Sequence, residues 1–288
     1  MSDLVYHVDG DLVPAGEATV SVEDRGFLYG DAAFETLRAY GGTVFAWDAH
    51  RERLLRTCET LGMPDAVPAD LRERVRETLR ANDLEEAYVR VSVTRGRQPG
   101  KLTPAPEVDP TAVVIVTPLP RGGLDGESVW DDPATVETVE TRRVPSTAIP
   151  AGAKTHNYLN GILARLELDP GAEEALLLDI SGAVAEGATS NLFFVDDGTL
   201  KTPAADGDLL PGVTRSVVLE IADGEPFPVE EGRYDPGDVR RADEAFLTNT
   251  TWEVRPVGSV DGRDLETGPI TRLLARLFEE RVEETHYG

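Results

Sequence analysis

The segment Ala153–Asn160, AKTHNYLN, contains one of only three lysines in a chain of 288 residues whose other 25 basic residues are arginines. This lysine, Lys154, directly precedes an apolar stretch with helical spacing, which is not the usual setting of a surface lysine. Lysine forms Schiff bases with carbonyl groups when it is desolvated, and arginine cannot. Lys154 is therefore a candidate for covalent attachment of a carbonyl cofactor. A surface lysine that escaped replacement explains this feature alone equally well.

The composition limits the kinds of protein that this chain can be. Its length suits one large domain or two modest ones with real cores. A formal net charge of −25 argues against nucleic acids and anionic membranes as partners. No apolar run approaches the ~20 residues that span a bilayer, and one cysteine excludes an internal disulfide and a cysteine metal cluster. The histidines show no metal-ligand spacing and the N-terminus no signal-peptide pattern, so we expect a cytoplasmic protein without a metal.

The excess of acidic residues also bears on habitat. Abundant aspartate and glutamate with scarce lysine resemble the composition of a halophile's cytosolic protein, whose carboxylates keep the surface hydrated in strong salt. Such a chain should lose stability when salt is removed, because its self-repulsion is then unscreened.

Hydrophobic periodicity predicts alternating strands and helices, and hence an α/β fold. In the first part we expect a hairpin turn at Asp9-Gly10, strands at 5–8, 17–22, 88–94 and 112–117, and helices at 48–61 and around 71–79. The run PLPRGG at 118–123 interrupts the pattern and is typical of a linker. Beyond it we expect strands at 135–142, 175–179, 191–195 and 245–249, with helices at 158–168, 212–222 and about 270–282. The order predicts a small N-terminal domain, 1–117, and a larger domain, 124–288, with a cleft between them.

Several polar residues carry weaker signals. The segment Leu210–Arg215, LPGVTR, opens a helix and could bind an anion through backbone N–H groups, but Pro and Gly are also ordinary capping residues. Thr248–Thr251 offers hydroxyls and amides suited to phosphate, or forms a routine polar turn. Arg51 lies in the first turn of a helix, where cations are disfavoured, which indicates an anionic ligand or a salt bridge. Glu186 stands out from the other acidic residues by its apolar surroundings.

Taken together, these segments resemble the class IV, fold-type IV, pyridoxal-phosphate-dependent family, which includes branched-chain and D-amino-acid aminotransferases and aminodeoxychorismate lyase. The resemblance runs essentially from end to end of the chain. It rests on Asp24–Gly30 (DRGFLYG), Phe34–Arg38 (FETLR), His50–Leu54 (HRERL), Lys154 with Tyr158–Asn160, the Glu186 segment, Leu210–Arg215 and Thr248–Thr251.

The resemblance implies a two-domain fold-type IV enzyme with pyridoxal 5'-phosphate between the small and the large α/β domain. Lys154 would hold the cofactor as a Schiff base and then move the proton, and Glu186 would pair with the pyridinium nitrogen. Tyr158 would bind the phenolic oxygen, and Leu210 would pack against the ring. The phosphate would be bound by Arg51, the amides of Val213 and Thr214, and Thr250.

The resemblance also implies which residues line the substrate side of the site. They are Tyr29, Phe34, Thr36, Arg38, Tyr88, Arg90, Thr251 and Trp252. Most are similar to branched-chain aminotransferases, where arginines meet the carboxylates of glutamate or 2-oxoglutarate. Thr36 and Trp252 depart from that pattern, in which smaller residues are usual. Thr36 suits the lyase instead, and the loop at 94–101 resembles the D-amino-acid enzymes in outline, with Arg97 or Lys101 in place of their carboxylate trap.

We therefore expect an aminotransferase that moves the amino group of a branched-chain or other aliphatic amino acid to a 2-oxo acid such as 2-oxoglutarate, by a ping-pong mechanism. The alternatives are aminodeoxychorismate lyase, which releases pyruvate and 4-aminobenzoate, and a D-amino-acid aminotransferase. The resemblance also implies a homodimer. A binding protein that has lost catalysis would leave the set of Lys154, Glu186 and Tyr158 without a use.

Overall fold

The computed structural model describes residues 4–121 and 129–288, which form two compact units. The first unit comprises the described part of Met1–Ser128 with Ala153–Asn157 and Tyr287, and the second comprises Val129–Gly152, Tyr158–His286 and Gly288. The chain thus returns to the first unit for a short segment around Lys154. Of the predicted linker, residue 118 ends a strand, and residues 122 and 123 lie outside the described residues. The domain boundaries at 117 and 124 stay a prediction.

The first unit is an antiparallel sheet with two long helices. Its strands β1 to β6 are Val5–Val8, Asp11–Pro14, Ala32–Tyr40, Thr43–Val44, Ala87–Thr94 and Ala112–Pro118, and its helices α1 to α3 are Arg25–Tyr29, Trp47–Thr60 and Leu71–Ala81. The strands lie in the order β2-β1-β6-β5-β3-β4. Each neighbouring pair is antiparallel.

The core of this unit lies between one face of the sheet and helices α2 and α3. Because successive side chains of a strand point to opposite faces, every second residue of β3 and β5 enters this core. Leu37, Val89 and Val91 do so from the strands, and Leu54 and Leu79 from the helices. The helices predicted at 48–61 and around 71–79 are confirmed, since their apolar residues recur at helical spacing on the buried side.

One predicted strand of this unit is wrong. Residues 17–22 contain no strand, and β2 lies at Asp11–Pro14 instead. The predicted turn explains why: Asp9 and Gly10 both have positive φ, 49° and 109°, so the chain reverses within two residues and pairs again at once. The second strand of the hairpin must then begin at Asp11.

The second unit is a larger mixed sheet with four helices. Its strands β7 to β15 are Ala134–Arg142, Glu174–Leu178, Val184–Gly187, Asn191–Asp196, Thr199–Pro203, Val229–Gly232, Glu244–Asn249, Glu253–Val260 and Arg263–Asp264, and its helices α4 to α7 are Leu159–Leu166, Val213–Ala222, Pro236–Arg241 and Pro269–His286. The order is β12-β11-β10-β13-β14-β7-β8-β9, with β15 paired to β14. The pairs β11–β12, β14–β7 and β7–β8 are parallel.

Continuous apolar strands build the core of the second unit. Phe193 of β10 and Phe246 of β13 are fully buried and stack with ring centroids 4.9 Å apart. Helices α5 and α7 pack against each other and against β13. The elements predicted in this half are confirmed to within a few residues, and so is the mixed α/β class. Among the described residues, no helix is long and apolar enough to cross a membrane.

Candidate active site

Five of the predicted substrate residues lie on one face of the neighbouring strands β3 and β5, opposite the helix-covered core. The cross-strand register pairs Thr36 with Arg90 and Arg38 with Tyr88. Phe34 precedes them on the same face and pairs with Ser92. Alternation along a strand explains the grouping, since residues two apart share a face. The structure thus brings together an aromatic ring, two arginines, a tyrosine and a threonine in the first unit.

Cationic groups cluster around the Phe34 ring. The guanidinium carbon of Arg90 lies 3.9 Å from the ring centroid, and Lys154 Nζ lies 4.6 Å from it. The His156 ring meets the same ring edge-on, at 5.5 Å between centroids, and its Nε2 lies 3.2 Å from Ser92 Oγ. Burial, aided by the charge of Arg90, lowers the pKa of His156 to about 4. His156 is therefore neutral near pH 7, and Arg90 with Lys154 supplies the positive charge.

The backbone around Lys154 is fixed by hydrogen bonds to β3 and α2. Phe34 N–H donates to Lys154 O at 3.0 Å, and Lys154 N–H donates to Thr57 Oγ1 at 3.1 Å. After Lys154 in the chain, Thr155 forms a bridge with Ala33, and His156 N–H donates to Ala32 O. The segment therefore lies along the start of β3 like a short extra strand, and this position explains why it clusters with the first unit.

A buried ion network lies next to this segment. The carboxylate of Glu35 accepts from Nε and Nη2 of Arg53, at 2.8 and 2.7 Å, and from Nδ1 of His50 at 2.7 Å. Burial alone would raise the pKa of Glu35, but the hydrogen bonds and charge of Arg53, with the hydrogen bond of His50, hold that pKa at about 2. Burial lowers the pKa of His50, so the neutral ring donates its Nδ1–H to the carboxylate.

The structure exposes Arg51 and buries Arg53, with its side chain 5% exposed. The sequence expectation had assigned the anion-binding role to Arg51. Helical geometry explains the difference, because positions three and four residues apart share a face: His50, Arg53 and Leu54 all point inward, and Arg51 does not. Thr57 Oγ1 donates to Arg53 O and accepts from Lys154 N–H, so this hydroxyl links the buried arginine to the lysine segment.

In the second unit, Glu186 is held by three groups of different kinds. Its Oε1 accepts from Nε of Arg143 at 2.6 Å, and its Oε2 accepts from the backbone N–H of Leu210 at 2.9 Å. Asn191 Nδ2 approaches Oε2 at 3.4 Å and donates to Leu210 O at 2.9 Å. Glu186 is buried, but its side chain keeps 11% exposure and so is not fully closed off from solvent. Arg143 and Asn191 had not been predicted from the sequence.

Helix α5 begins at Val213, after the N-cap residue Gly212. Gly212 has no side chain with which to cap the helix, so the first-turn N–H groups, including those of Val213 and Thr214, are directed toward whatever lies beyond the helix start. A Cβ at Gly212 would lie 2.1 Å from Asn191 Oδ1. Glycine is therefore required here by the close approach of Asn191.

The remaining predicted site residues lie in both units. Tyr29 ends α1 and is 37% exposed, with the Arg25 guanidinium 4.9 Å from its ring centroid. Tyr158 is the N-cap residue of α4 and is also exposed. Thr250, Thr251 and Trp252 form the turn between β13 and β14 and are half-buried. Within the described ranges, no group of three or more His, Cys, Asp or Glu side chains is arranged to hold a metal ion.

The residues present fit the pyridoxal phosphate that the resemblance implies. A lysine amine beside an aromatic ring suits a carbonyl, an anchored carboxylate suits a protonated ring nitrogen, and first-turn N–H groups without a capping side chain suit a phosphate. Arg53 adds a buried cation of the kind that binds phosphate.

Comparison with known proteins agrees with this fit. The sequence profile of the family described as Amino-transferase class IV matches residues 32–260. A Methanocaldococcus jannaschii protein assigned as a branched-chain-amino-acid aminotransferase is 38% identical over 279 residues, 95% of each chain. D-alanine aminotransferase of Staphylococcus haemolyticus is 31% identical over 96% of this chain and 97% of its own.

A solved structure agrees in fold over almost the whole chain. It is the branched-chain aminotransferase of Thermoproteus uzoniensis with norvaline, which matches with a TM-score of 0.90 and 32% identity over 99% of this chain and 97% of its own. The chain belongs to the class IV aminotransferases, fold-type IV transaminases that use pyridoxal phosphate.

Proposed function

We propose that this transaminase takes branched-chain or similar aliphatic amino acids as donors and 2-oxoglutarate as acceptor. The observation that carries the proposal is the shared face of β3 and β5. There Phe34 and Tyr88 provide an apolar wall for an aliphatic chain, and Arg38 and Arg90 provide positive charge for carboxylates. Lys154 Nζ lies 4.6 Å from the Phe34 ring centroid, which puts the reactive amine at this face.

The proposal assigns a cofactor-binding role to individual residues of each unit. When bound, pyridoxal phosphate supplies a carbonyl and an electron-withdrawing ring that stabilises negative charge on the substrate Cα. Glu186, positioned by its ion pair with Arg143, would hold a proton at the ring nitrogen. The amides of Val213 and Thr214, with Thr250, bind the phosphate. We assign the phosphate-binding arginine to Arg53 in place of Arg51, because Arg53 is buried and fixed.

The remaining proposed roles follow from the chemistry of the side chains. Tyr158 donates its hydroxyl to the phenolic oxygen of the cofactor, and Leu210 packs on the ring. Lys154 Nζ would hold the cofactor through its carbonyl carbon and would take the proton from the substrate Cα.

Changing Lys154 to Ala tests this assignment. The variant should lose the absorbance band of the lysine-bound cofactor and all turnover, because no other group can replace the amine. Lys201, which pairs with Asp196 at the surface, offers a matched control, and Lys201→Ala should keep both. Turnover retained by Lys154→Ala would contradict the role of Lys154.

The substrate is tested by adding L-leucine, L-glutamate, D-alanine and aminodeoxychorismate separately to the purified enzyme in high salt. Conversion of the lysine-bound band to that of the amine form by the L-amino acids is the expected result. Conversion by D-alanine alone would move the assignment to the D-enzymes. Pyruvate release from aminodeoxychorismate, with no band change from any amino acid, would identify the lyase.

One observation favours aminodeoxychorismate lyase, and another weakens the reading as a D-amino-acid aminotransferase. Thr36 pairs with Arg90 on the substrate face, where its hydroxyl adds polarity that an aliphatic side chain does not need, and this favours the lyase. For the D-enzymes, Arg97 pairs with Glu23 at 2.9 Å with both side chains about two-thirds exposed, so Arg97 is engaged at the surface. This weakens Arg97 as a carboxylate trap.

We further propose a homodimer that uses the outer face of α4. Leu159, Ile162, Leu163 and Leu166 form an exposed stripe there, with exposures of 63%, 55%, 47% and 75%. No acidic residue occurs between Glu140 and Glu167, although the chain carries a net charge of −25. Two copies of so acidic a chain repel each other, and an apolar patch free of acids is where they could meet. Sedimentation of Leu166→Glu should give a monomer, and an unchanged dimer would contradict this surface.

The acidic composition supports a proposed adaptation to strong salt. With 53 acidic residues against 28 basic ones, the chain should unfold at a lower temperature in low salt. A melting temperature that does not change with potassium chloride concentration would contradict it. The cytoplasmic location stays a prediction.

A further inference from the structure

The turn between β13 and β14 has a strained backbone. Asn249 pairs with Glu253 across the hairpin, which leaves Thr250, Thr251 and Trp252 as its three loop residues. Glu253 has φ 58°, in the left-handed region that residues with a side chain rarely adopt. Such a conformation persists only where neighbouring contacts hold it.

Asn249 provides one set of these contacts from within the turn. Its Oδ1 accepts from the N–H of Trp252 at 2.7 Å, and from the N–H and Oγ1 of Thr251 at 3.0 and 3.1 Å. Its Nδ2 donates to Thr189 O at 3.3 Å, which ties the turn to the segment before β10. A single side chain therefore fixes the backbone of two loop residues and joins the loop to its neighbour.

A second set of contacts holds Trp252 from the other side. Trp130 Nε1–H donates to Trp252 O at 3.1 Å. The guanidinium carbon of Arg255 lies 5.1 Å from the Trp252 ring centroid and 5.9 Å from that of Trp130, within the range of cation–π attraction. Arg255 is 3% exposed and is anchored by Asp132 O at 3.1 Å and by Glu173 Oε1 at 2.5 Å.

We propose that Asn249 and Trp130 are positioning residues that hold Trp252 as a fixed wall and so limit the size of the substrate side chain. The inference rests on the proposed function, together with the expectation from the family resemblance that Thr251 and Trp252 line the substrate side. The backbone carbonyl, the backbone N–H and the indole ring of Trp252 are all held by neighbours, so this residue cannot move aside for a larger substrate. Without the Asn249 side chain or the Trp130 N–H, the turn relaxes, and Trp252 can then move to admit a larger substrate side chain.

The test uses holoenzyme variants with matched controls. Asn249→Ala removes the acceptor, and Asn249→Asp restores an oxygen in the same place. Trp130→Phe keeps an aromatic ring near Arg255 and removes the N–H together with part of the indole. The controls come from the first unit: Asn82→Ala, whose Oδ1 accepts from Val5 N–H, and Trp47→Phe, whose ring lies 5.9 Å from the Arg72 guanidinium carbon.

Two kinds of measurement are made. Steady-state kinetics give kcat and KM for L-leucine and L-phenylalanine, and calorimetry gives the dissociation constant of 4-methylvalerate, an unreactive carboxylic acid. Asn249→Ala should raise KM for leucine and the dissociation constant about tenfold, the scale of one or two lost hydrogen bonds. It should also narrow the preference for leucine over phenylalanine, with kcat changed less than about twofold. Trp130→Phe should shift the same quantities about threefold, Asn249→Asp should recover most of the loss, and the controls should shift none.

Parallel loss of kcat and bound cofactor, with KM and the preference unchanged, would mean that the two residues only stabilise the fold, and would overturn the proposal. A wild-type enzyme that transaminates neither amino acid would refute the proposed function by itself. In that case the 4-methylvalerate arm still decides the inference, because a tenfold weakening in Asn249→Ala supports it and an unchanged constant overturns it.

Discussion

Glu35 in the first unit and Glu186 in the second are both carboxylates in largely apolar surroundings, but their partners differ. Glu35 is 2% exposed and receives Arg53 through two nitrogens and His50 through a third. Glu186 is 11% exposed and receives one nitrogen of Arg143, one backbone N–H and a longer contact from an amide. The first carboxylate is fully enclosed by its own chain, and the second, although buried, keeps a small exposed fraction.

The difference indicates separate roles for the two charges. The bidentate pair of Arg53 with Glu35 fixes α2 against β3. It leaves the carboxylate of Glu35 no free side from which to contact a ligand. Glu186 has a charged partner on one oxygen and a weaker set on the other, which suits a group that must also face a ring nitrogen. We therefore expect stability to depend mainly on Glu35 and catalysis mainly on Glu186.

The largest effect on stability should come from Glu35→Gln. The change leaves Arg53 buried with its charge uncompensated, which costs about 3–5 kcal/mol of unfolding free energy. Urea unfolding measures it. Glu52→Gln is the matched control, since Glu52 pairs with Arg56 at the surface, where such pairs contribute at most ~1 kcal/mol. Equal losses in the two variants would show that the buried network is no more stabilising than a surface pair.

Glu186→Gln should lower activity much more than stability, the opposite of what we expect for Glu35→Gln. The amide keeps the size of the side chain and loses the charge proposed to hold a proton on the cofactor ring, so kcat should fall on the order of 100-fold. The unfolding free energy should fall by only about 1–3 kcal/mol, because Arg143 is itself partly exposed. A full kcat together with weakened folding would assign Glu186 a structural role like that of Glu35.

Gly212→Ala should disturb Glu186 indirectly and less strongly. The new methyl group would meet Asn191 Oδ1 and push that amide away from Glu186 and Leu210 O. We expect a loss of about 1–3 kcal/mol, the usual cost of overpacking, with a weaker affinity for pyridoxal phosphate. Cofactor titration followed by absorbance measures the affinity. Gly207→Ala, in a turn of the same unit, is the control. If it changed the affinity for pyridoxal phosphate equally, the effect of Gly212→Ala could not be attributed to Glu186.

The smallest expected effect is a change in the slope of the unfolding free energy against pH when His156 is replaced. His156, with a pKa of about 4 in the fold, stays neutral while the unfolded chain binds a proton near pH 6.5, so stability falls between pH 6.5 and 4. Glu35, with a pKa of about 2, adds a further fall between pH 4.5 and 2. His156→Gln should reduce only the upper slope, leaving the share of His50, whose pKa burial also lowers. An unchanged slope between pH 6.5 and 4 would contradict the assignment.

Much of the fold was predictable because apolar periodicity determines buried faces. The helices around Leu54 and Leu79 and the strand with Phe193 followed from spacing alone. The strand β3 was missed, although it is central to the substrate face. Its buried residues include Glu35 and Arg38, which interrupt the apolar alternation, and a buried charge is recognisable only when its partner is known.

The candidate site was predicted in its residue types more than in its connections. Lys154 and Glu186 could be singled out by local setting, and the resemblance supplied their roles. The burial of Arg53 and the exposure of Arg51 follow from the helical phase set by Leu54, a signal already present in the sequence, and the proposed transfer of the phosphate-binding role to Arg53 rests on that difference. The partners Arg143, Asn191 and Asn249 could not have been found, since their contacts arise from chain segments that meet only after folding.

Cys58 can report how often the core of the first unit opens to solvent. The thiol lies in the core on α2 with no exposed surface, and burial raises its pKa to about 12. Because it is the only cysteine of the chain, modification by a thiol reagent proceeds only as fast as this core opens to solvent. The rate of that single reaction, followed with and without substrate, would therefore measure how strongly a bound ligand holds the first unit closed.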